Sequence, residues 1–290
     1  MKFHDILLTL LVVFLWGVNF AAIKVGVNHF PPIFMTGLRF VLVAGVLVPF
    51  FRFPTAQAGR ILGLSVVFGV FHFGTVFLGI TGVDAAVAAI VLQLGVPFTA
   101  LLAWRILGDR FGMRLITGMV LAFLGVVILA GEPKTASSLP HMLVLVLSAL
   151  AWGYANIQIK QIGPINPLCL TAWMAMFAMP QLLILSAVVE TGQWNAVLSA
   201  GGTEWGALLF AGLGSTVIGY GLWYFLIGRY EVSRIVPFGL LTPLIGVAAG
   251  VLLLGEILTW QKVFGGLITV SGVAIIQLRR QHMGQHRDVD

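Results

Sequence analysis

The chain has little charge. Asp, Glu, Lys and Arg together make up 9% of its 290 residues, against 59% apolar ones. A soluble domain carries about a quarter charged residues, so this composition excludes a soluble globular fold and places the chain in the membrane class. It has one cysteine, Cys169, inside an apolar stretch. That excludes an intrachain disulfide and suits a small packed hydrophobe. Long polar segments are also missing. A helix needs roughly 20 apolar residues to cross a hydrocarbon core of about 30 Å, so ten of them leave about 90 residues for loops and termini. No folded soluble domain of any size fits in such remainders. The apolar runs do not alternate with polar residues, which excludes a β-barrel.

Motifs for chemistry are absent too. No G-x-x-x-x-G-K-[ST] loop occurs, so the chain does not hydrolyse ATP by that route. There is no H-E-x-x-H, no G-x-S-x-G and no Cys/His metal spacing. Asp84 lacks a second intramembrane Asp for a dyad. An enzyme is therefore not expected, and neither is a cofactor. The net charge of +6 is explained by membrane topology rather than by nucleic acid.

What is present is a series of apolar runs at approximately 5–27, 31–51, 60–80, 84–104, 112–130, 140–160, 167–189, 205–226, 231–254 and 260–278. The first, with Trp16, Asn19 and Lys24 inside it, is too long for a signal peptide and reads as an uncleaved span. The fold class expected is an all-α integral membrane protein of ten transmembrane helices. Placing the N-terminus inside puts Lys2, Arg52, Arg60, Arg105, Arg110, Arg114, Lys160, Arg229, Arg234, Arg279, Arg280 and Arg287 in the cytoplasm. Only Lys24, Lys134 and Lys262 are then outside. This bias predicts both termini cytoplasmic, with a disordered tail over 281–290.

The chain also repeats itself. Trp16-Gly17, with Ile23 and Lys24 after it, matches Trp152-Gly153 with Ile159 and Lys160 at the same offsets. Leu107-Gly108-Asp109 matches Leu254-Gly255-Glu256, and Gly118 and Gly125 match Gly265 and Gly272. Asp84 and Glu231 keep the same separation. The expected units are 1–135 and 136–280, each of five spans. An odd number sends the second copy into the membrane from the opposite side, giving inverted repeats with a substrate site near the midplane, as in transporters. Gly246 and Gly250, and the pairs Gly118/Gly125 and Gly265/Gly272, allow close helix approach, for tight packing or for sliding.

Polar side chains at membrane depth should face the bundle interior. Near span centres stand Trp16, Asn19, His72, Thr75, Gln93, Trp152, Asn156, Ser215, Thr216, Tyr220, Trp223 and Thr242. Of these, Trp16, Asn19, His72, Gln93, Trp152, Asn156, Tyr220, Trp223 and Thr242 are the candidate substrate-binding set. Amides suit the polar groups of a small solute and indoles suit its apolar body or a cation. The competing explanation is interhelical hydrogen bonding, and for His72 a packed role outweighs proton coupling. Lys24 with Asp84, and their repeats Lys160 with Glu231, are candidate gates at opposite membrane faces. Helix-terminus electrostatics explains the same four residues more simply. Arg39, about eight residues into the second span, is expected to snorkel toward the surface.

Several segments carry a resemblance: Leu11 to Gly26 (LVVFLWGVNFAAIKVG), Pro31 to Phe40 (PPIFMTGLRF), Ala85 to Gln93, Leu107 to Arg110 (LGDR) and Ser215 to Pro237 (STVIGYGLWYFLIGRYEVSRIVP). Over essentially its full length the chain resembles the EamA family of the drug/metabolite transporter superfamily. Within it the chain is most similar to bacterial exporters of the O-acetylserine/cysteine kind. The resemblance implies ten helices in two inverted halves around a central cavity, and efflux of amino acids or their derivatives. Trp16, Asn19, Lys24, Gln93, Tyr220 and Arg229 match such exporters in residue type. Gly95, Pro97 and His72 stand where the resemblance would lead one to expect other residues, glutamines at positions 95 and 72. The expected partners are a small-molecule solute and the lipids of a bacterial inner membrane. A homo-oligomer is compatible with the Gly-rich faces. The alternatives are a broader drug or nucleobase exporter, or a lipid-handling membrane protein.

Overall fold

The computed structural model describes residues 1–108, 112–131, 138–230 and 232–284, and every element in them is helical. Nine long helices among the described residues are apolar enough to cross a membrane. They are α1 (Phe3–Val27), α2 (Pro32–Phe50), α3 (Thr55–Thr81), α4 (Ala85–Leu107), α5 (Met113–Ala130), α6 (Leu139–Ile162), α7 (Pro167–Val189), α8 (Gly202–Ile227) and α9 (Pro237–Leu254). A further long helix, α10 (Trp260–Gly284), follows. It reaches into the expected tail, 281–290. Residues 285–290 lie outside the described residues. Two short helices lie between the long ones: Gln193–Ser199, outside the expected spans, and Val232–Ile235, within the expected span 231–254.

Runs of this length become helices because lipid offers no partner to a backbone N–H or C=O, so each segment must satisfy its own. Their ends carry specific chemistry. Asn166 accepts from the N–H groups of Leu168 (2.9 Å) and Cys169 (3.3 Å) in front of Pro167. α4 and α9 both stop on a glycine in the left-handed region, Gly108 at φ +73° and Gly255 at φ +69°. The outward faces are apolar. On α1, Phe3, Leu7, Leu10 and Phe14 are exposed, while Asp5, Thr9, Val12 and Asn19 are buried. Polar groups thus turn inward and apolar ones toward lipid.

The two halves share their irregularities. α3 widens into a π-helical stretch at Ser65–Phe73, and α8 does so at Phe210–Ile218. α4 contains a 3₁₀ turn at Leu92–Leu94, and α9 is entered through one at Val236–Leu241. Extensive helix pairs include α5–α10, α2–α7, α4–α9, α1–α9 with α4–α6, α1–α8 with α3–α6, and α2–α8 with α3–α7, and exchanging α1–α5 with α6–α10 returns each of these. The contact of α4 with α10 breaks the pattern, having no comparable counterpart between α5 and α9. The close contacts follow suit: Gly17 packs on Ile245 of α9, and Gly153 packs on Phe98 of α4.

Glycines place α5 against α10 at backbone distance. A Cβ on Gly272 would stand 2.5 Å from the Gly118 carbonyl oxygen, and one on Gly265 would stand 2.7 Å from that of Gly125. Gly246 and Gly250 likewise admit Ala89 and Ala86 of α4.

Candidate functional site

Trp16 projects from the middle of α1 toward the π-helical stretch of α8. Its Nε1 donates to the Ser215 carbonyl at 3.1 Å. A wide π turn displaces carbonyls from the regular ladder, and here one of them serves an indole from another helix. The Trp16 ring lies 5.3 Å from Tyr220 and 5.1 Å from Trp223, both tilted, and Tyr220 stacks on Tyr224 at 5.9 Å. Gly219 makes room, since a Cβ there would stand 2.8 Å from the indole nitrogen. Trp16, Tyr220 and Trp223, which the sequence placed in one set, are therefore brought together.

The rest of the set divides. Asn19 is 9% exposed, and its Oδ1 is buried without a hydrogen-bond partner among the described residues. Thr242 Oγ1, on α9 beside Gly17, is also buried and unpartnered. Gln93 lies half-buried in the 3₁₀ turn of α4. Trp152, the repeat of Trp16, packs its ring over Gly95 of α4 instead of joining the aromatic cluster. Asn156 spends its amide within α6, donating to the Trp152 carbonyl at 2.7 Å. His72 Nδ1 lies 3.0 Å from the Ser148 carbonyl, which can only accept, so that nitrogen carries the proton. Ser148 Oγ donates back to the His72 carbonyl at 2.9 Å, and Phe68 stacks on the imidazole. His72 thus joins α3 to α6.

Arg39 does not snorkel. It is 1% exposed, and its Nε and Nη2 donate to Thr216 Oγ1 at 3.2 and 2.7 Å. The guanidinium lies over Phe73, 4.5 Å from the ring centroid. Snorkelling fails because α2 is covered by α3, α7 and α8, so this face never reaches the headgroups.

The expected Lys24–Asp84 pairing is also corrected. Lys24 Nζ donates to the carbonyls of Ile80 (2.9 Å), Thr81 (3.2 Å) and Val83 (2.9 Å), capping the C-terminus of α3. A cation is favoured there by the helix dipole. Asp84 instead pairs with Lys262 of α10, whose Nζ also donates to the Ile257 carbonyl at 2.7 Å. Glu256 completes this end of the bundle, accepting from the N–H groups of Ala85 (2.6 Å) and Ala86 (3.1 Å) at the start of α4. Burial pushes the Glu256 carboxyl above the usual range and Asp84 adds to this, while the two N–H groups and Lys262 oppose it. Lys262 and Glu256 escaped the sequence reading as site residues. The signal for Glu256 was its match to Asp109, which lies outside the described residues.

At the opposite end, Tyr230 donates to Asp5 Oδ2 and Arg229 lies 4.0 Å from Asp5 Oδ1, tying the end of α8 to the start of α1. Lys160 is exposed there. Its expected partner Glu231 lies outside the described residues.

The EamA-like transporter family matches residues 5–131 and 139–278. A "Probable amino-acid metabolite efflux pump" of Salmonella typhimurium is 33% identical over 286 residues, covering 95% of each chain. A protein of the same description in Escherichia coli is 32% identical over 285 residues, again 95% of each. An "Uncharacterized transporter" of Archaeoglobus fulgidus is 30% identical over 287 residues, covering 95% of this chain and 99% of its own. A solved structure with 18% identity superposes with a TM-score of 0.65 over 98% of this chain and 99% of its own, showing the same fold. With the family matched across nearly the whole chain and the apolar helices in place, the protein is a multi-pass membrane member of the EamA-like transporter family.

Proposed function

We propose that the protein is a secondary transporter that exports amino acids or their derivatives across a bacterial inner membrane by alternating access. Ten spans form two inverted five-helix repeats, 1–135 and 136–280, with both termini cytoplasmic. The set of helix pairs that survives exchange of the two halves supports this most directly. Two separate family matches, one per half, and the shared π and 3₁₀ stretches support it further. The substrate class follows the two efflux-pump relatives and the character of the site. Trp16, Tyr220 and Trp223 offer aromatic faces, and the unpartnered Asn19 Oδ1 and Thr242 Oγ1 can accept from an ammonium or hydroxyl.

In this reading the Lys24 end faces outward and is shut. Lys24 clasps α1 to α3, and Asp84, Glu256 and Lys262 clasp α4 to α9 and α10. Lys160 and Glu231 are the mirrored elements of the inner gate. The test is efflux from proteoliposomes loaded with labelled O-acetylserine, cysteine, threonine or phenylalanine, with and without a pH gradient. Selective release of one class, lost in Trp16→Ala, is the expected result. Absence of flux for every amino acid by folded protein would refute the substrate class.

A further inference from the structure

Among the described residues the guanidinium of Arg39 has no charged partner. Its Nε and Nη2 share one neutral oxygen, Thr216 Oγ1, whose own proton is committed to the Ala211 carbonyl at 3.0 Å. Its Nη1 is buried and has no hydrogen-bond partner. Among the described residues no carboxylate lies within ion-pair distance of it. Phe73 and Phe77 flank it at 4.5 and 5.7 Å from their centroids. These rings form a wall that excludes water and supplies no counter-charge.

A buried guanidinium presents its N–H groups in a fixed fork that matches a carboxylate. Here Nε and Nη2 are taken by Thr216 and Nη1 is left without a hydrogen bond. Arg39 lies about 10 Å below the start of α2, at 1.5 Å per residue, which is well inside the hydrocarbon layer and away from lipid phosphates. Thr216, which holds Arg39, adjoins Ser215, whose carbonyl holds the Trp16 indole, so the cation and the aromatic cluster are fastened to neighbouring residues of α8.

We propose that Arg39 is the anion anchor of the transport site, taking the carboxylate of a zwitterionic solute whose body lies against Trp16, Tyr220 and Trp223. The proposal deepens the export reading and rests on it for the solute class. A neutral or purely cationic solute would leave the guanidinium without a counter-charge and bind more weakly.

The test measures binding to purified wild-type protein by thermal shift titration. Phenylalanine, threonine and O-acetylserine are each compared with their own primary amide. The acids should bind roughly ten- to hundredfold more tightly than the amides, the range expected for hydrogen bonds to a charged group. Arg39→Gln should bring acid and amide to equal affinity, and Arg39→Lys should retain part of the preference. Equal binding of acid and amide by wild type, no binding of any acid, or a preference surviving in Arg39→Gln would overturn the proposal. The wild-type comparison stands even if Arg39→Gln fails to fold. The two readings separate cleanly. Acid-selective binding without flux would refute export and keep the anchor. Flux of amides and acids alike would keep export and refute the anchor.

Discussion

The contact between α5 and α10 makes a sharp prediction about two kinds of glycine. At Gly272 an added Cβ would meet Ala122 N and the Gly118 oxygen at 2.5 Å, and Ala122 Cα at 3.1 Å. All three are backbone atoms, so no side chain can turn aside. An ordinary contact begins near 3.4 Å, so the helices must part by about 1 Å to admit one methyl group. Parting them loosens the mirrored contact at Gly125 and Gly265 as well. Overpacking of this sort costs about 1–3 kcal/mol. Gly45 of α2 is the opposite case, exposed and with nothing within 4 Å of an added Cβ. There alanine brings only its better helix propensity, about 0.5–1 kcal/mol in favour of folding. The assay is the apparent melting temperature in detergent, followed by size-exclusion fluorescence. Gly272→Ala should lower it by several degrees, at roughly 2–4 °C per kcal/mol, and Gly45→Ala should raise it slightly. If the two substitutions behave alike, the reasoning from backbone contact is wrong.

Other predictions concern the two ends and the centre. Lys262→Met leaves the Asp84 carboxylate beside Glu256 without its cation and should destabilise by about 2–3 kcal/mol, less than a fully buried pair because Asp84 is 21% exposed; melting in detergent measures it, and an unchanged midpoint counts against the ion pair. Glu256 binds its proton more tightly here than in water, so its contribution is complete below the ordinary value of 4.5 and is lost as pH rises through the raised one. Wild type should therefore lose more stability between pH 5 and pH 8 than Glu256→Gln does, and equal slopes would sink the assignment. In the efflux assay Trp16→Ala should lose most activity, whereas Trp152→Ala, whose ring packs on Gly95, should act chiefly through stability. Loss of both in proportion to protein stability would deny Trp16 a special place.

Much of this architecture was legible because lipid imposes a simple rule, that long apolar runs become helices. The glycine pairs of α5 and α10 were legible because the repeat showed them twice, and only a backbone contact needs small residues at both places. The aromatic set was half legible. Trp16, Tyr220 and Trp223 meet, but Trp152 does not mirror Trp16, since its ring is held over Gly95. The π stretches of α3 and α8 leave no periodicity signal in uniformly apolar sequence, so the carbonyl of Ser215 could not be foreseen as an acceptor. Arg39 misled because depth along a helix says nothing of which face the neighbours cover. Asp84 found Lys262 rather than Lys24 because three carbonyls at the end of α3 compete for the Lys24 ammonium.

The central claim is that the Lys24 end and the Lys160 end are alternate doors to one site. Its most direct test replaces Cys169 by serine and places single cysteines at Val83, buried at the first end, or at Gln158, near the second. Thiol labelling is then followed at fixed pH in proteoliposomes, with and without a transported amino acid. The account predicts opposite changes, one position gaining reactivity as the other loses it. Changes in the same direction at both positions, or none at either while transport proceeds, would contradict it.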